Sequence, residues 1–266
     1  MTATTCCTIC RALLVVVYIS NEPIALPSFH NSAVVAEGRA SSRSRVRIYY
    51  AFGDSTGVGV GGGSGGGYPE RLLRDLRINH EDWRLVNRSS LGETTRNLLR
   101  RLDHHGVVLR ASLITVSVGI NDVFQGTSED EFAENYARIL KRLFPLRCVL
   151  VITNLPDISF APSTPDSTRA NLRARTLRFN GHLEAIARRY RIPFVDLFSQ
   201  SGNVESRREF FSSDGFHPSG AGYEFWAKVM WPKVREVTQR PSVRCRGSYR
   251  FVSDRAKTRV LRSSLI

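Results

Sequence analysis

Ser55, in the stretch GDST, is a candidate nucleophile. A serine hydroxyl is a weak nucleophile near neutral pH, so it needs a histidine to accept its proton and a carboxylate to orient that imidazole. Asp214 and His217 supply both groups three residues apart in DGFHP. A turn of that length can place the carboxylate against one imidazole nitrogen while the other faces Ser55. Taken alone, the two residues would equally suit a surface loop ahead of a helix.

Two further stretches carry donors for the oxyanion that forms when a carbonyl is attacked. VNRSSLGETT contains Gly92 and VGINDVF contains Asn121, each after a predicted strand. Gly92 has no side chain, so its backbone N–H can approach a ligand closely, and Asn121 can donate from its amide. The two residues are therefore candidates for an oxyanion hole.

The stretch GVGVGGGSGGG, residues 57–67, follows the serine and is named the glycine loop. Its first six residues match the GxGxxG pattern of dinucleotide-binding loops, so a nucleotide-binding module is an alternative function. Against this, GSGGG separates the pattern from the next predicted helix, and the second predicted strand ends in Asn87 instead of an acid. A Walker A loop is excluded because no lysine follows. The composition predicts a pliable rim beside Ser55.

Short apolar runs alternate with helical patterns from residue 45 onward, which is typical of a parallel α/β sheet. The predicted strands are Val46–Phe52, Trp83–Asn87, Leu113–Val118, Cys148–Thr153 and Pro193–Leu197. Apolar residues at helical spacing lie between them, and a last helix is predicted over 220–237. Catalytic groups in such sheets gather at the carboxyl ends of the strands, where Ser55, Gly92 and Asn121 stand.

The composition, with 42% hydrophobic residues among 266, excludes a fibrous or wholly disordered chain. The formal net charge is +14, of which residues 238–266 carry +7 and residues 1–44 carry +1. We therefore expect an N-terminal segment 1–44, a folded domain 45–237 and a basic C-terminal tail 238–266. The tail could contact anionic lipid or nucleic acid weakly, and a non-catalytic interaction protein acting through it is a further alternative.

The N-terminal segment contains the apolar run Ala12–Ile19, which has the form of a short signal-peptide core. The segment is therefore interpreted as a signal or as disordered, and export and a cytoplasmic location stay equally open. The five cysteines show no metal-ligand spacing, so neither a metal site nor a disulfide framework is predicted. Nothing in the sequence indicates an oligomeric state.

Four stretches together resemble the motifs of the SGNH hydrolases, also called GDSL esterases and lipases. They are GDS at 53–55, the stretch around Gly92, GIND at 119–122 and DGFHP at 214–218, in the family's order. The four stretches span residues 53–218, and the resemblance implies an SGNH hydrolase domain over residues 45–237. It also implies a flavodoxin-like three-layer α/β sandwich with a five-stranded parallel sheet, which agrees with the predicted strands.

The resemblance assigns a role to each matching residue. It implies that Ser55 is the nucleophile, His217 the general base and Asp214 its orienting partner. It further implies that Ser55 and Gly92 donate backbone N–H groups to the oxyanion, and that Asn121 donates its amide. Three other motif positions look structural: Asp54, Asn87 and Asp122.

The activity implied is hydrolysis of a small-molecule ester or lipid through an acyl-serine, without a metal or an organic cofactor. Small or medium acyl groups are expected, as in lysophospholipases, thioesterases and arylesterases. Phe124, Ile158 and Phe160 stand in loops after predicted strands and are candidates for contacting the acyl group. Each of them would equally serve to anchor its own loop.

Overall fold

A sheet of five parallel strands forms the centre of the computed structural model, which describes residues 46–80, 82–105, 111–146, 148–202 and 207–239. The strands are β1 (Arg47–Gly53), β2 (Trp83–Asn87), β3 (Leu113–Ser117), β4 (Val149–Thr153) and β5 (Phe194–Val195). They lie in the order β2-β1-β3-β4-β5, which is the flavodoxin-like order. In such sheets ligands bind where the strand order reverses, here between β1 and β3.

Helices connect these strands and cover the sheet. Those of the described residues are α1 (Ser55–Val58), α2 (Tyr68–Asn79), α3 (Thr95–His105), α4 (Ile120–Phe124), α5 (Glu129–Leu143), α6 (Asp166–Tyr190), α7 (Phe198–Ser201) and α8 (Gly220–Gln239). α2 packs against α8, whereas α3 packs against α5 and α5 against α6. This five-stranded parallel sheet covered by helices agrees with the predicted flavodoxin-like three-layer α/β sandwich.

The central strand and the helix beside it show how the sequence builds these layers. β3 reads LITVS and is buried at every position, as expected of a parallel strand covered on both faces. α5 begins after Ser128, whose hydroxyl accepts the Glu131 N–H, and it carries acids in its first turn and bases in its last. Its apolar face, which includes Phe132 and Tyr136, is fully buried.

The predicted strands agree with the structure except at the fifth. Each of the first four strands begins and ends within one residue of its predicted position. The fifth was predicted over 193–197 but covers only Phe194–Val195. The side-chain oxygen of Asn154 accepts the N–H groups of Leu197 at 2.6 Å and Phe198 at 3.0 Å, which removes these residues from the sheet. The last helix continues to Gln239.

Residues 1–45 and 240–266 lie outside the described residues. The signal-like run, the basic tail beyond Gln239, the segment bounds and the cellular location therefore stay predictions. Within the described ranges, no helix has both the length and the hydropathy needed to cross a membrane.

Candidate active site

Ser55 stands at the first position of α1, on a tight turn directly after β1. Asp54 caps this helix, because its carboxylate accepts the Thr56 N–H at 2.9 Å and the Thr56 hydroxyl at 2.7 Å. Burial raises the pKa of the Asp54 carboxyl. The first backbone N–H groups of a helix have no intrahelical acceptor. The N–H of Ser55, the first residue of α1, is therefore available to donate to an oxyanion.

The three predicted triad residues form a continuous hydrogen-bonded chain. The Ser55 Oγ lies 3.0 Å from Nε2 of His217, and Nδ1 of the same ring lies 2.6 Å from Oδ2 of Asp214. Both distances are those of good hydrogen bonds. With Nδ1–H donating to the carboxylate, Nε2 is left as the acceptor for the serine hydroxyl. The imidazole can thus take the proton of Ser55.

The remaining oxygen of Asp214 holds the loop that carries His217. This Oδ1 accepts the Ser212 hydroxyl at 2.7 Å and the backbone N–H groups of Phe216 at 2.8 Å and His217 at 2.9 Å. Desolvation raises the pKa of Asp214, but these bonds and the one from the imidazole outweigh it and place the pKa well below the ordinary carboxyl value. Asp214 is therefore ionised near neutral pH.

The candidate oxyanion donors come from three loops that contact one another. The Ser90 N–H donates to the Gly53 carbonyl at 3.0 Å, joining the loop after β2 to the end of β1. The Asn121 amide donates to the Glu93 carbonyl at 2.9 Å, joining the loop after β3 to the residue that follows Gly92. An amide nitrogen carries two hydrogens, so Asn121 keeps a second one for a ligand.

Gly92 has a positive φ of 66°, a conformation that a side chain would strain. An added Cβ would meet no atom within 4 Å there, so open space surrounds this part of the backbone. The backbone at Gly92 is therefore accessible to a ligand.

The three motif residues predicted to be structural each hold a neighbouring loop. Asp54 caps α1, as described above. The side-chain amide of Asn87 donates to the Gly57 carbonyl at 2.7 Å. Asp122 is buried and accepts the Thr95 N–H at 2.8 Å and the Thr95 hydroxyl at 2.6 Å. Burial raises the pKa of Asp122.

An apolar cavity of about 100 Å³ adjoins the candidate triad. It is lined by His217 and Thr56, which adjoin Ser55, and by residues of the loop after β4 and of α8. Its lining is mainly aliphatic and aromatic, with Ile120, Ile158, Ala161, Leu197, Phe211, Phe216, Phe225 and Trp226 among the contributing residues.

Only one of the three predicted acyl-contacting residues, Ile158, lines this cavity. Phe124 is 46% exposed and packs edge-on against Phe216, with 5.3 Å between ring centroids. Phe160 instead lies against Arg173, whose guanidinium is 5.5 Å from the ring centroid. The aromatic residues of α8 were overlooked because their spacing is that of an ordinary buried helix face.

The glycine loop has a defined fold instead of the pliable one its composition suggests. Asn87, Tyr223 and Glu70 bond its backbone at Gly57, Val60 and Gly67, respectively. A Cβ on Gly59 would lie 2.3 Å from the Gly67 nitrogen, and one on Gly62 would lie 2.2 Å from the Gly66 oxygen. The glycines thus permit backbone to pack on backbone.

Arg71 binds this loop in a way that also bears on the nucleotide alternative. Its guanidinium does not act as a phosphate-binding group here, because its N–H groups donate to the carbonyl oxygens of Gly65, Gly66 and Gly67. A phosphate cradle needs backbone N–H groups that converge on an anion, whereas these carbonyls converge on a cation. Sequence reasoning missed Arg71, because a helical arginine normally indicates a solvated position.

Comparison with known proteins assigns the family. The model of the GDSL-like lipase/acylhydrolase family matches residues 51–225. No curated protein matches the sequence. The chain belongs to this family, and it is a serine hydrolase that acts on esters.

Solved structures share the fold. A lipase/acylhydrolase from Enterococcus faecalis is 21% identical with a TM-score of 0.58, covering 72% of this chain and 95% of its own. A variant of Axe2, an acetyl xylan esterase from Geobacillus stearothermophilus, is 20% identical with a TM-score of 0.59, covering 71% and 94%. The SGNH-hydrolase family esterase AlinE4 is 25% identical with a TM-score of 0.53, covering 73% and 98%.

Proposed function

We propose that the protein hydrolyses carboxylic esters of small or medium acyl groups, with Ser55 as nucleophile, His217 as general base and Asp214 as its orienting partner. The observation that carries this proposal is the chain of two hydrogen bonds, 3.0 Å and 2.6 Å long, from Ser55 through His217 to Asp214. It supplies the proton acceptor that a serine hydroxyl lacks on its own.

The reaction proceeds in two halves. The Ser55 oxygen attacks the ester carbonyl while Nε2 of His217 takes its proton, and the oxyanion is stabilised by the Ser55 and Gly92 N–H groups and the Asn121 amide. As the ester C–O bond breaks, His217 returns the proton to the departing alcohol and an acyl-serine remains. Water then attacks the acyl carbon, with His217 again taking and returning the proton, and the acid is released.

The apolar cavity beside His217 is proposed to hold the acyl chain. It is lined by Ile158, Ala161 and Phe216, and it adjoins the position of the reacting carbonyl through Thr56. Its volume of about 100 Å³ limits the length of chain that fits. The likeness to an acetyl xylan esterase supports small acyl groups, and the activities of lysophospholipases, thioesterases and arylesterases remain within the proposal.

Ser55→Ala tests the nucleophile. We expect activity on p-nitrophenyl acetate to fall by about 10³-fold or more, because the activated oxygen is removed. A fluorophosphonate probe should label the wild-type protein but not the variant. Ser167→Ala, at an exposed position in α6, is the matched control and should behave like wild type. Equal hydrolysis by wild type and Ser55→Ala would overturn the proposal.

Ala161→Leu tests the acyl cavity. Ala161 is buried and lines the cavity, so a larger side chain should occupy space that a medium acyl chain needs. We expect kcat/KM for p-nitrophenyl octanoate to fall about tenfold or more, while the value for the acetate stays within about threefold. A parallel loss on both esters, or none on either, would place the acyl chain elsewhere.

A further inference from the structure

Arg71 of α2 has a nearly buried guanidinium, with 8% of its side chain exposed. Its Nη1 donates to the carbonyl oxygens of Gly65 at 2.9 Å and Gly67 at 3.2 Å, and also to that of Gly66. Three successive carbonyls of the glycine loop therefore meet one cationic group. A buried cation requires such partners, because desolvation without them is costly.

The opposite side of the same guanidinium binds α8. Its Nη2 donates to the carbonyl oxygen of Gly220 at 3.1 Å, and its Nε lies 3.3 Å from the carboxylate of Glu224. The group also lies over the ring of Tyr223, 5.7 Å from the ring centroid. Gly220 is the first residue of α8 and follows His217 by three positions. Arg71 thus joins the segment after Ser55 to the segment after His217.

Other contacts bring the same two segments together. The Tyr223 hydroxyl donates to the Val60 carbonyl at 2.8 Å. Gly61 packs so closely that a Cβ there would lie 2.6 Å from Cβ of Ser212 and 2.7 Å from the Pro218 oxygen. Ser212 in turn donates to Asp214. The contacts form a path from the guanidinium through the glycine loop to the carboxylate that orients His217.

Only an arginine can make all of these contacts at once. Its planar group presents five N–H donors in fixed directions, whereas a lysine ammonium is a single point with three. A lysine at this position could bind either the loop or Gly220 but could not span both. The contacts therefore depend on the guanidinium shape and not only on its charge.

We propose that Arg71 is a positioning residue that keeps the Ser55 hydroxyl within hydrogen-bonding distance of His217, an inference that rests on the proposed esterase function. It touches neither residue and acts through the glycine loop and the start of α8. Small displacements matter here, since a misplacement of about 1 Å can cost roughly 100-fold in rate.

The experiment compares Arg71→Ala and Arg71→Lys with Arg74→Ala. Arg74 lies one turn further along α2, is exposed and also pairs with Glu224, but no glycine-loop carbonyl accepts from it among the contacts of the described residues. For p-nitrophenyl acetate we expect kcat to fall by about 100-fold in Arg71→Ala and about tenfold in Arg71→Lys. KM should stay within about threefold, because Arg71 does not itself line the acyl cavity, and Arg74→Ala should match wild type.

Added guanidinium ion at millimolar concentration should restore part of the lost kcat in Arg71→Ala but not in Ser55→Ala. If Arg71 had a merely structural role, Arg71→Ala would give less folded protein, and added guanidinium ion would not restore kcat. Wild-type kcat in Arg71→Ala, or a loss in Arg71→Lys that only tracks the folded fraction seen by circular dichroism, would overturn the positioning role. Failure of the wild-type protein to react with a fluorophosphonate at Ser55 would instead overturn the esterase proposal.

Discussion

The glycine loop after Ser55 and the loop 210–218 around His217 meet at the candidate active site, but different interactions hold them. The glycine loop contains few side chains, so it is held from outside by Arg71, Tyr223 and Asn87. The His217 loop is held mainly from within, because Asp214 binds two backbone N–H groups and one hydroxyl of its own loop.

The difference shows two ways of holding a candidate catalytic residue in place. Asp214 combines loop stabilisation with orientation of the imidazole, so a single side chain does both tasks. The glycine loop removes side chains to let backbone segments approach, and it leaves the fixing to residues of α2 and α8. We therefore expect substitutions in the His217 loop to act on catalysis first, and substitutions in the glycine loop to act on stability and catalysis together.

The largest effect should come from Asp214→Asn. The amide cannot orient the imidazole with the same tautomer, and kcat should fall by about 10³- to 10⁴-fold, as in comparable triads. Asp166→Asn, at an exposed position of α6, is the control and should keep wild-type activity. Steady-state hydrolysis of p-nitrophenyl acetate measures both. A loss of less than tenfold would mean that Asp214 mainly supports its loop.

Gly61→Ala and Gly63→Ala form a matched pair within the glycine loop. Both residues have a positive φ, 81° and 62°, so both variants bear a backbone cost of about 1 kcal/mol. Only at Gly61 would the new Cβ also collide with Ser212 and Pro218. We expect Gly61→Ala to lose a further 1–3 kcal/mol, roughly, in the free energy of unfolding and to lower kcat as well.

Urea denaturation and kcat measure the two outcomes. Equal effects of Gly61→Ala and Gly63→Ala would show that the contact between the glycine loop and the His217 loop does not matter.

The smallest effect should come from Ser212→Ala. It removes one of the donors that depress the pKa of Asp214, while two backbone N–H donors and the imidazole remain. The pKa should rise towards its ordinary value, and kcat should fall about three- to tenfold. Comparison of kcat with that of Asp214→Asn shows how much of the orientation depends on the hydroxyl.

We also expect the effect of Ser212→Ala on the free energy of unfolding to depend on pH. A carboxyl whose folded pKa is depressed stabilises the protein above its unfolded pKa of about 4, and this contribution is lost as the pH falls through the folded pKa. The difference in unfolding free energy between wild type and Ser212→Ala should therefore be constant above about pH 5 and shrink below it. A difference that grows on acidification would contradict the role given to Asp214.

Much of the sheet was predictable because its signals are local. Strands such as LITVS are continuous apolar runs, and each candidate residue at their carboxyl ends could be named from its neighbours. The fifth strand was overestimated because the competing acceptor, Asn154, stands about forty residues away in the chain. For the same reason the sequence did not indicate most of the cavity lining, since α8 supplies part of it from a distant segment.

By itself the sequence determined the first four strands, the candidate nucleophile and the turn that joins Asp214 to His217, since these depend on residues close together in the chain. The tertiary structure alone decided the conformation of the glycine loop, the role of Arg71 and the lining of the acyl cavity. These depend on contacts between segments as far apart as Arg71 and Gly220, 149 residues away, and neither composition nor spacing can report such contacts.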